Sequence, residues 1–468
     1  MIAAPALAAQ LGDGWRRPRG AAEALAEALR ALVVDGRLAA RTRVPSERAL
    51  APALGVSRGT VTRAYDRLRE DGYLVSAGGA GSRLTLPEGS GPAPLLEPGA
   101  AAATDLTVAA LPAPEPLLSE AAARAARALA RHAPSHGYAG AGLPELREAL
   151  ASRFGERGLP TTPDQLLVTA GAQHALHLLL ALLTTPGDRA LVDAPAYPRT
   201  LSALRAARVR AVAVPLTPAG WDAGAWGQAI AAAAPRVAVT TPDFHNPTGL
   251  TMTARRRTEL AGHCARAGVT LIADETNAEL RLDGPAVPAP LAAHGPAISV
   301  GSMSKAAWGG LRLGWIRAAP RTIRELTAAR ADLDMASPVL EQLLATELLA
   351  HWDDVLASRR ALVRPRRDAL LRALPAGWTV RRPTGGLTAW VRLPAPVATR
   401  LAAAAARERI FIAAGPSFSV DGTFEHHIRL PYTLPPDDLE RAVATLGGLA
   451  ERLGSAAPER ADPAPAVV

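Results

Sequence analysis

A chain of 468 residues is too long for one ordinary domain and has ample material for a large core, so at least two domains are expected. The net charge of +9 and isoelectric point of about 10.6 invite a polyanionic partner, and the single cysteine, Cys264, excludes an internal disulfide framework and suits a reducing compartment. The longest apolar run, around Leu176 to Leu183, is too short to span a bilayer, and the first residues place their arginines after the apolar part, unlike a signal peptide, so a soluble cytoplasmic protein is expected.

The basic excess is uneven: residues 37–69 hold 8 arginines against 2 acids. Ala21 to Val34 sets Leu25, Leu29, Leu32 and Val33 at helical spacing, ended by Asp35-Gly36. A short second helix over Ser46 to Leu54 follows Pro45, and Gly55 makes the turn. Ser57 then caps a third helix reaching about Asp71, with Val61, Tyr65 and Leu68 inward. Tyr73 to Leu86, with its glycine cluster, reads as a small hairpin. Two helices joined by a tight glycine turn and followed by a hairpin make a winged helix-turn-helix pattern. The start of the third helix presents Arg58, Thr60, Thr62 and Arg63 at the end that enters a major groove, where arginine forks onto guanine or holds phosphate.

The stretch RTRVPSERALAPALGVSRGTVTRAYDRLREDGYL resembles the GntR-type winged helix-turn-helix almost continuously. The resemblance implies that Arg43, Ser46 and Arg48, from the second-helix region, meet double-stranded DNA, together with Ser57, Arg58, Thr60, Thr62 and Arg63 from the recognition helix. Gly59 departs from the pattern, since it brings no side chain to a base. The expected domains are a DNA-binding unit over 15–86, a Pro/Gly/Ala-rich linker over 87–104, a large domain over 105–455 and a disordered tail over 456–468.

From Asp105 onward helical patterns alternate with short apolar strands, as in a doubly wound α/β sheet, where ligands sit beyond the carboxyl ends of the strands. DQLLVTAGAQHALHLLLALL is a strand, a small-residue turn and a helix. Gly171, Ala172 and Gln173 stand at the helix start, where free N–H groups and the dipole hold a phosphate. Tyr197 lies just past the strand in RALVDAPAYP and can stack on a flat ring. VAVTTPDFHNPTG ends another strand with Asn246, whose amide can hydrogen-bond a phenolic oxygen, and VTLIADETNAEL ends a further one with Asp274. A carboxylate paired to a ring nitrogen keeps that nitrogen protonated and makes the ring an electron sink.

Lys305, in GSMSKAAWGGLRLG, is the one lysine among 52 Lys and Arg residues. Arginine stays protonated in a protein, whereas a desolvated lysine amine can attack a carbonyl, so a Schiff base is the natural reading. Ser302 and Arg312 place a hydroxyl and a guanidinium around that amine, which suits a phosphate beside an aldehyde.

SMSKAAWGGLRLGW resembles the lysine loop of fold-type I, class I aminotransferase-like domains. The ordered set Gly171-Ala172-Gln173, Tyr197, Asn246-Pro247-Thr248-Gly249, Asp274, Ser302, Lys305, Arg312 and Arg429 extends the resemblance to class I aminotransferases over roughly residues 105–455. It implies a mixed, mostly parallel sheet with helices on both faces, a smaller C-terminal α+β subdomain, and pyridoxal 5'-phosphate as cofactor with Lys305 as the catalytic lysine. It further implies phosphate contacts from Ala172, Gln173, Ser302 and Arg312, ring stacking by Tyr197, an O3' contact by Asn246 and a pyridinium pair with Asp274. Arg429 would take an effector α-carboxylate, and Tyr138, in HGYAGAGLPELR, would reach the phosphate of a partner subunit. Thr276 stands where a tyrosine usually also touches O3', and its shorter hydroxyl needs a water to do so. His426 and His427 read as a solvated pair, and no metal is expected.

Both halves in this order resemble the MocR family of transcriptional regulators across nearly the whole chain. That implies a head-to-tail homodimer that binds operator DNA and senses an amino compound, or pyridoxal phosphate itself, by exchange of the Schiff base at Lys305. The alternative is a working class I aminotransferase with an accessory DNA-binding module.

Overall fold

The computed structural model describes residues 2–12, 14–16, 20–34, 42–77, 81–84 and 103–455. The tail over 456–468 and all but the end of the linker over 87–104 lie outside the described residues.

Four helices open the chain: α1 (Ala4–Leu11), α2 (Ala21–Val34), α3 (Glu47–Leu54) and α4 (Arg58–Glu70). The last three match the sequence periodicity. α1 does not appear in that reading, because its ALAAQL run has no clear polar face; it is held by Leu7, fully buried in the cluster formed with Leu25, Leu29, Leu50, Val61 and Tyr65. Ser46 and Ser57 cap α3 and α4 by accepting the backbone N–H of Ala49 and Thr60. Gly55 turns between them at φ 63°, a left-handed conformation that glycine adopts freely. Strands β1 (Leu74–Ala77) and β2 (Gly81–Leu84) pair antiparallel as the wing.

The large domain is built on a seven-stranded sheet of β4 (Leu166–Thr169), β5 (Arg189–Ala194), β6 (Arg210–Pro215), β7 (Val237–Thr240), β8 (Thr270–Asp274), β9 (Ile298–Ser302) and β10 (Gly314–Arg317). Its order is β4-β10-β9-β8-β7-β5-β6; β10 runs antiparallel to both neighbours and the remaining pairs are parallel. Alternate residues feed two cores. Val192, Val239, Ile272 and Val300 pack beneath the Ala172–Leu183 helix on one face, while Leu191, Ala238, Leu271 and Ala273 pack with Trp226, Leu260 and Cys264 on the other. With helices on both sides, the strands read as continuous apolar runs.

A second sheet, in the order β11-β12-β14-β13-β3, contains β11 (Thr379–Val380), β12 (Thr388–Arg392), β13 (Ile410–Ala414) and β14 (His427–Pro431). Its edge strand β3 (Thr104–Leu106) comes from the start of the large domain and pairs parallel with β13. The smaller subdomain is therefore not purely C-terminal: Asp105 and Thr107 enter it, which brings their chain against Arg429 on β14. Among the described residues no helix is long and apolar enough to cross a membrane.

Candidate functional site

The carboxyl ends of β4, β5, β7, β8 and β9 converge on one mouth, and the sequence-marked residues leave the sheet there. Lys305 follows β9 and its Nζ donates to the Ala109 carbonyl at 2.7 Å. Burial, with help from Arg429, lowers the Lys305 amine to about 8, against the opposing pull of Asp274. A sizeable unprotonated fraction near neutral pH is what a nucleophilic amine requires.

Asp274, the last residue of β8, accepts the Thr276 backbone N–H at 3.1 Å; burial pushes its carboxyl up, and the Thr276 hydrogen bonds and Lys305 restrain it. Burial likewise raises the Tyr197 phenol, whose charged neighbours are Arg429, Asp274 and Arg199. Arg429, at the centre of β14 and 4 % exposed, is lowered to about 10 by burial. It donates to the Thr107 carbonyl and lies over the Phe418 ring at 5.4 Å, yet its Nε is buried without a partner. Asn246 is also buried, with Oδ1 unpartnered. Two unsatisfied polar atoms in one mouth are costly in a folded chain unless a ligand meets them.

The phosphate end is equally specific. Gly171 takes φ 95° ahead of the Ala172–Leu183 helix, and a Cβ there would sit 3.2 Å from the Arg312 guanidinium. Arg312 reaches the Ala170 carbonyl at 2.9 Å and adopts φ 48°, a left-handed conformation uncommon outside glycine. Ser302 Oγ lies 2.9 Å from Ser304 Oγ and accepts the Ser304 N–H at 3.1 Å. Gln173 stands in the same helix turn, its amide donating to the Arg199 carbonyl at 3.2 Å. Helix-start amides, two serine hydroxyls and a guanidinium fit a dianionic phosphate; Lys305 fits an aldehyde, and Asp274 with Tyr197 a basic planar ring. These residues therefore fit pyridoxal 5'-phosphate. Ser304 did not stand out in the sequence, although the SMSK spacing places a second hydroxyl next to the lysine.

Tyr138 sits apart: it is 61 % exposed, and its ring lies tilted against that of His136 at 5.4 Å between centroids. His427 corrects the expectation of a solvated pair. It stacks on Trp390 at 5.0 Å, burial lowers it to about 4, and its Nδ1 is buried without a partner, because its place on β14 turns it toward the aromatic group. Among the described residues no cluster of three or more His, Cys, Asp or Glu could hold a metal.

In the helix-turn-helix, Arg48, Ser57, Arg58 and Arg63 are exposed, as is Ser46. The backbone of Arg43 makes an isolated antiparallel β-bridge with that of Arg83 in the wing. Thr60 does not face the groove: it is 9 % exposed and lies 2.8 Å from the Ser57 hydroxyl, because the inward stripe of α4 runs Thr60, Val61, Ala64, Tyr65, Leu68. Thr62 spends its hydroxyl on Glu47 at 3.0 Å or on the Arg58 carbonyl at 3.1 Å.

A winged helix-turn-helix on a fold-type I aminotransferase-like domain defines the class: a DNA-binding regulator carrying a cofactor-type effector domain. Residues 104–446 match the family described as aminotransferase class I and II, and residues 21–84 match that of bacterial regulatory proteins, gntR family. The chain belongs to the aminotransferase class I and II family, in the MocR-type fusion with a GntR domain. It is 29% identical to the HTH-type transcriptional regulator TauR of Rhodobacter capsulatus, covering 81% of this chain and 86% of that one. It is 33% identical to the probable rhizopine catabolism regulatory protein MocR of Rhizobium meliloti, over 64% of this chain and 65% of that one. Among solved structures, LysN, an α-aminoadipate aminotransferase from Thermus thermophilus complexed with N-(5'-phosphopyridoxyl)-L-leucine, superimposes with a TM-score of 0.68 at 28% identity, covering 75% of this chain and 93% of that one.

Proposed function

We propose that this protein is a transcriptional regulator whose aminotransferase-like domain senses a carboxylated amine through pyridoxal 5'-phosphate held at Lys305. The observation that carries the reading is the buried, incompletely satisfied Arg429 guanidinium beside Lys305 and Asp274, in the same chain as a helix-turn-helix with exposed Arg48, Arg58 and Arg63. The cofactor supplies an aldehyde that condenses reversibly with amines. Lys305, partly unprotonated, would anchor it in competition with an amine; Asp274 would hold the ring nitrogen's proton, and the Asn246 amide would donate to the phenolic oxygen. Ala172, Gln173, Ser302 and Arg312 would hold the phosphate, Tyr197 would stack on the ring, and Arg429 would take the effector carboxylate through a forked pair of N–H donors. The effector alters DNA binding only to the extent that it binds one conformation of the protein better than the other.

The exposed Tyr138, Leu333, Met335 and Leu340 are the apolar side chains we assign to contact with a second copy; in a head-to-tail homodimer Tyr138 would reach the partner's phosphate and two DNA-reading heads would be paired. Footprinting on DNA flanking the protein's own gene, with apo, cofactor-loaded and Lys305→Ala protein at stated salt, tests the reading. A protected site whose affinity responds to cofactor supports it, and no specific protection in any form sinks it. A second reading, turnover as an aminotransferase, draws on the complete set of Lys305, Asp274 and Arg429. Sustained conversion of an amino donor to keto acid, lost in Lys305→Ala, would establish it.

A further inference from the structure

Behind the cofactor site lies a buried polar group that no role above employs. Asp193, the next-to-last residue of strand β5 and shortly before Tyr197, is 2 % exposed. Its Oδ1 accepts Trp221 Nε1 at 2.8 Å, and its Oδ2 accepts the Thr240 hydroxyl at 2.8 Å and the Thr241 N–H at 3.1 Å. His245, 1 % exposed, brings Nε2 to 3.6 Å from the same Oδ2. The tautomer follows from the other side of the ring. His245 Nδ1 lies 2.9 Å from Thr248 Oγ1 and 3.5 Å from the Thr248 N–H, and an N–H can only donate. Nδ1 is thus the acceptor, and the ring proton sits on Nε2, facing Asp193. Burial lowers His245 to about 3, so the ring is neutral.

The carboxylate therefore meets three hydrogen-bond donors and an imidazole N–H, and among the described residues neither arginine nor lysine pairs with it. Burial pushes it up to about 7, and the Thr240, Thr241 and Trp221 bonds pull the other way. A buried acid with no cationic partner is expensive to keep. Its position indicates what it is kept for. Asp193 ties the end of β5 to the end of β7, the two adjacent strands whose following loops carry Tyr197 and Asn246. His245 directly precedes Asn246, and the turn closes through His245 N–H to the Leu250 carbonyl at 2.8 Å. Because Asn246 follows His245 directly, the backbone that His245 anchors sets where the Asn246 side chain leaves the loop.

We propose that Asp193 and His245 are positioning residues that, through Trp221 and Thr240, hold the Asn246 amide and the Tyr197 loop in register around the cofactor ring. The assignment rests on the reading of Lys305 as the cofactor lysine. Full-length protein loaded with pyridoxal 5'-phosphate is compared as wild type, Asp193→Asn, Thr240→Val, Asn246→Ala and the Asp193→Asn/Asn246→Ala double variant. The measurements are cofactor Kd and the pH midpoint of the visible band of the lysine-bound cofactor, with circular dichroism and Tm to score folding. Asp193→Asn is expected to weaken cofactor binding about tenfold and to move the midpoint by about half a pH unit or more. Combined with Asn246→Ala it should add less to the midpoint shift than it gives alone, because the two variants share the Asn246 contact.

A folded Asp193→Asn protein with the wild-type midpoint overturns the assignment, and so do shifts that simply add in the double variant. If Asp193→Asn does not fold, Thr240→Val decides, because it removes the hydroxyl donor to Asp193 Oδ2: a moved midpoint supports the role and an unmoved one refutes it. A wild-type protein with no lysine-dependent band fails the cofactor reading itself, an outcome distinct from a normal band with unmoved variants.

Discussion

Replacing Arg429 with glutamine keeps much of the side chain's length but removes its charge and its fork. The guanidinium is 4 % exposed, sits on Phe418, spends one N–H on the Thr107 carbonyl and leaves Nε unpartnered, so a carboxylate bound there would be almost fully desolvated. Hydrogen bonds to charged groups contribute about 1.5–3 kcal/mol each, and glutamine retains one neutral donor. A net loss of about 3 kcal/mol is expected, or roughly 150-fold in affinity at 1.4 kcal/mol per tenfold. The assay is a spectral titration of the cofactor-loaded protein with an α-amino acid that binds the wild type, alongside the corresponding decarboxylated amine. Arg429→Gln should lose the amino acid by that factor and leave the amine within a few-fold. Equal losses for both ligands, or none for the amino acid, would refute the placement of the carboxylate on Arg429.

Because the Lys305 amine is lowered to about 8, the rate of cofactor capture by apo-protein should climb with pH through that value and then level off. Lys305→Met should abolish the lysine-dependent band. In the DNA-binding unit, Arg58→Ala and Arg63→Ala should each weaken operator binding and lower the slope of log affinity against log salt by about one, whereas Thr60→Val should leave that slope unchanged, since Thr60 faces inward. Arg257 and Asp243 form an ion pair with both side chains fully buried, and Arg257→Leu should cost about 3–5 kcal/mol in thermal or denaturant unfolding by stranding the aspartate.

Much of the molecule was legible before folding because short-range chemistry controls it. Helical spacing placed α2 and α4, the Ser57 cap opened α4, and Pro45 and Gly55 bounded α3, since caps, turn residues and an apolar stripe act within a few residues. The solitary lysine, and the acids and amides just after apolar runs, pointed to the site because strand ends in α/β sheets open onto ligands. α1 was missed, as was the inward turn of Thr60: the former depends on what Leu7 packs against, and the latter on the exact phase of the α4 stripe.

What residues 21–84 and 104–446 encode by themselves is the pair of modules and the order of the candidate site residues along them. Tertiary structure decided the rest. It drew β3 into the small subdomain so that the Thr107 carbonyl meets Arg429, turned His427 onto Trp390, and set Asp193 opposite His245 although 52 positions separate them. Such pairings rest on sheet register and on burial, which charge a high free-energy cost for an unmet polar group and therefore select partners far apart in the chain.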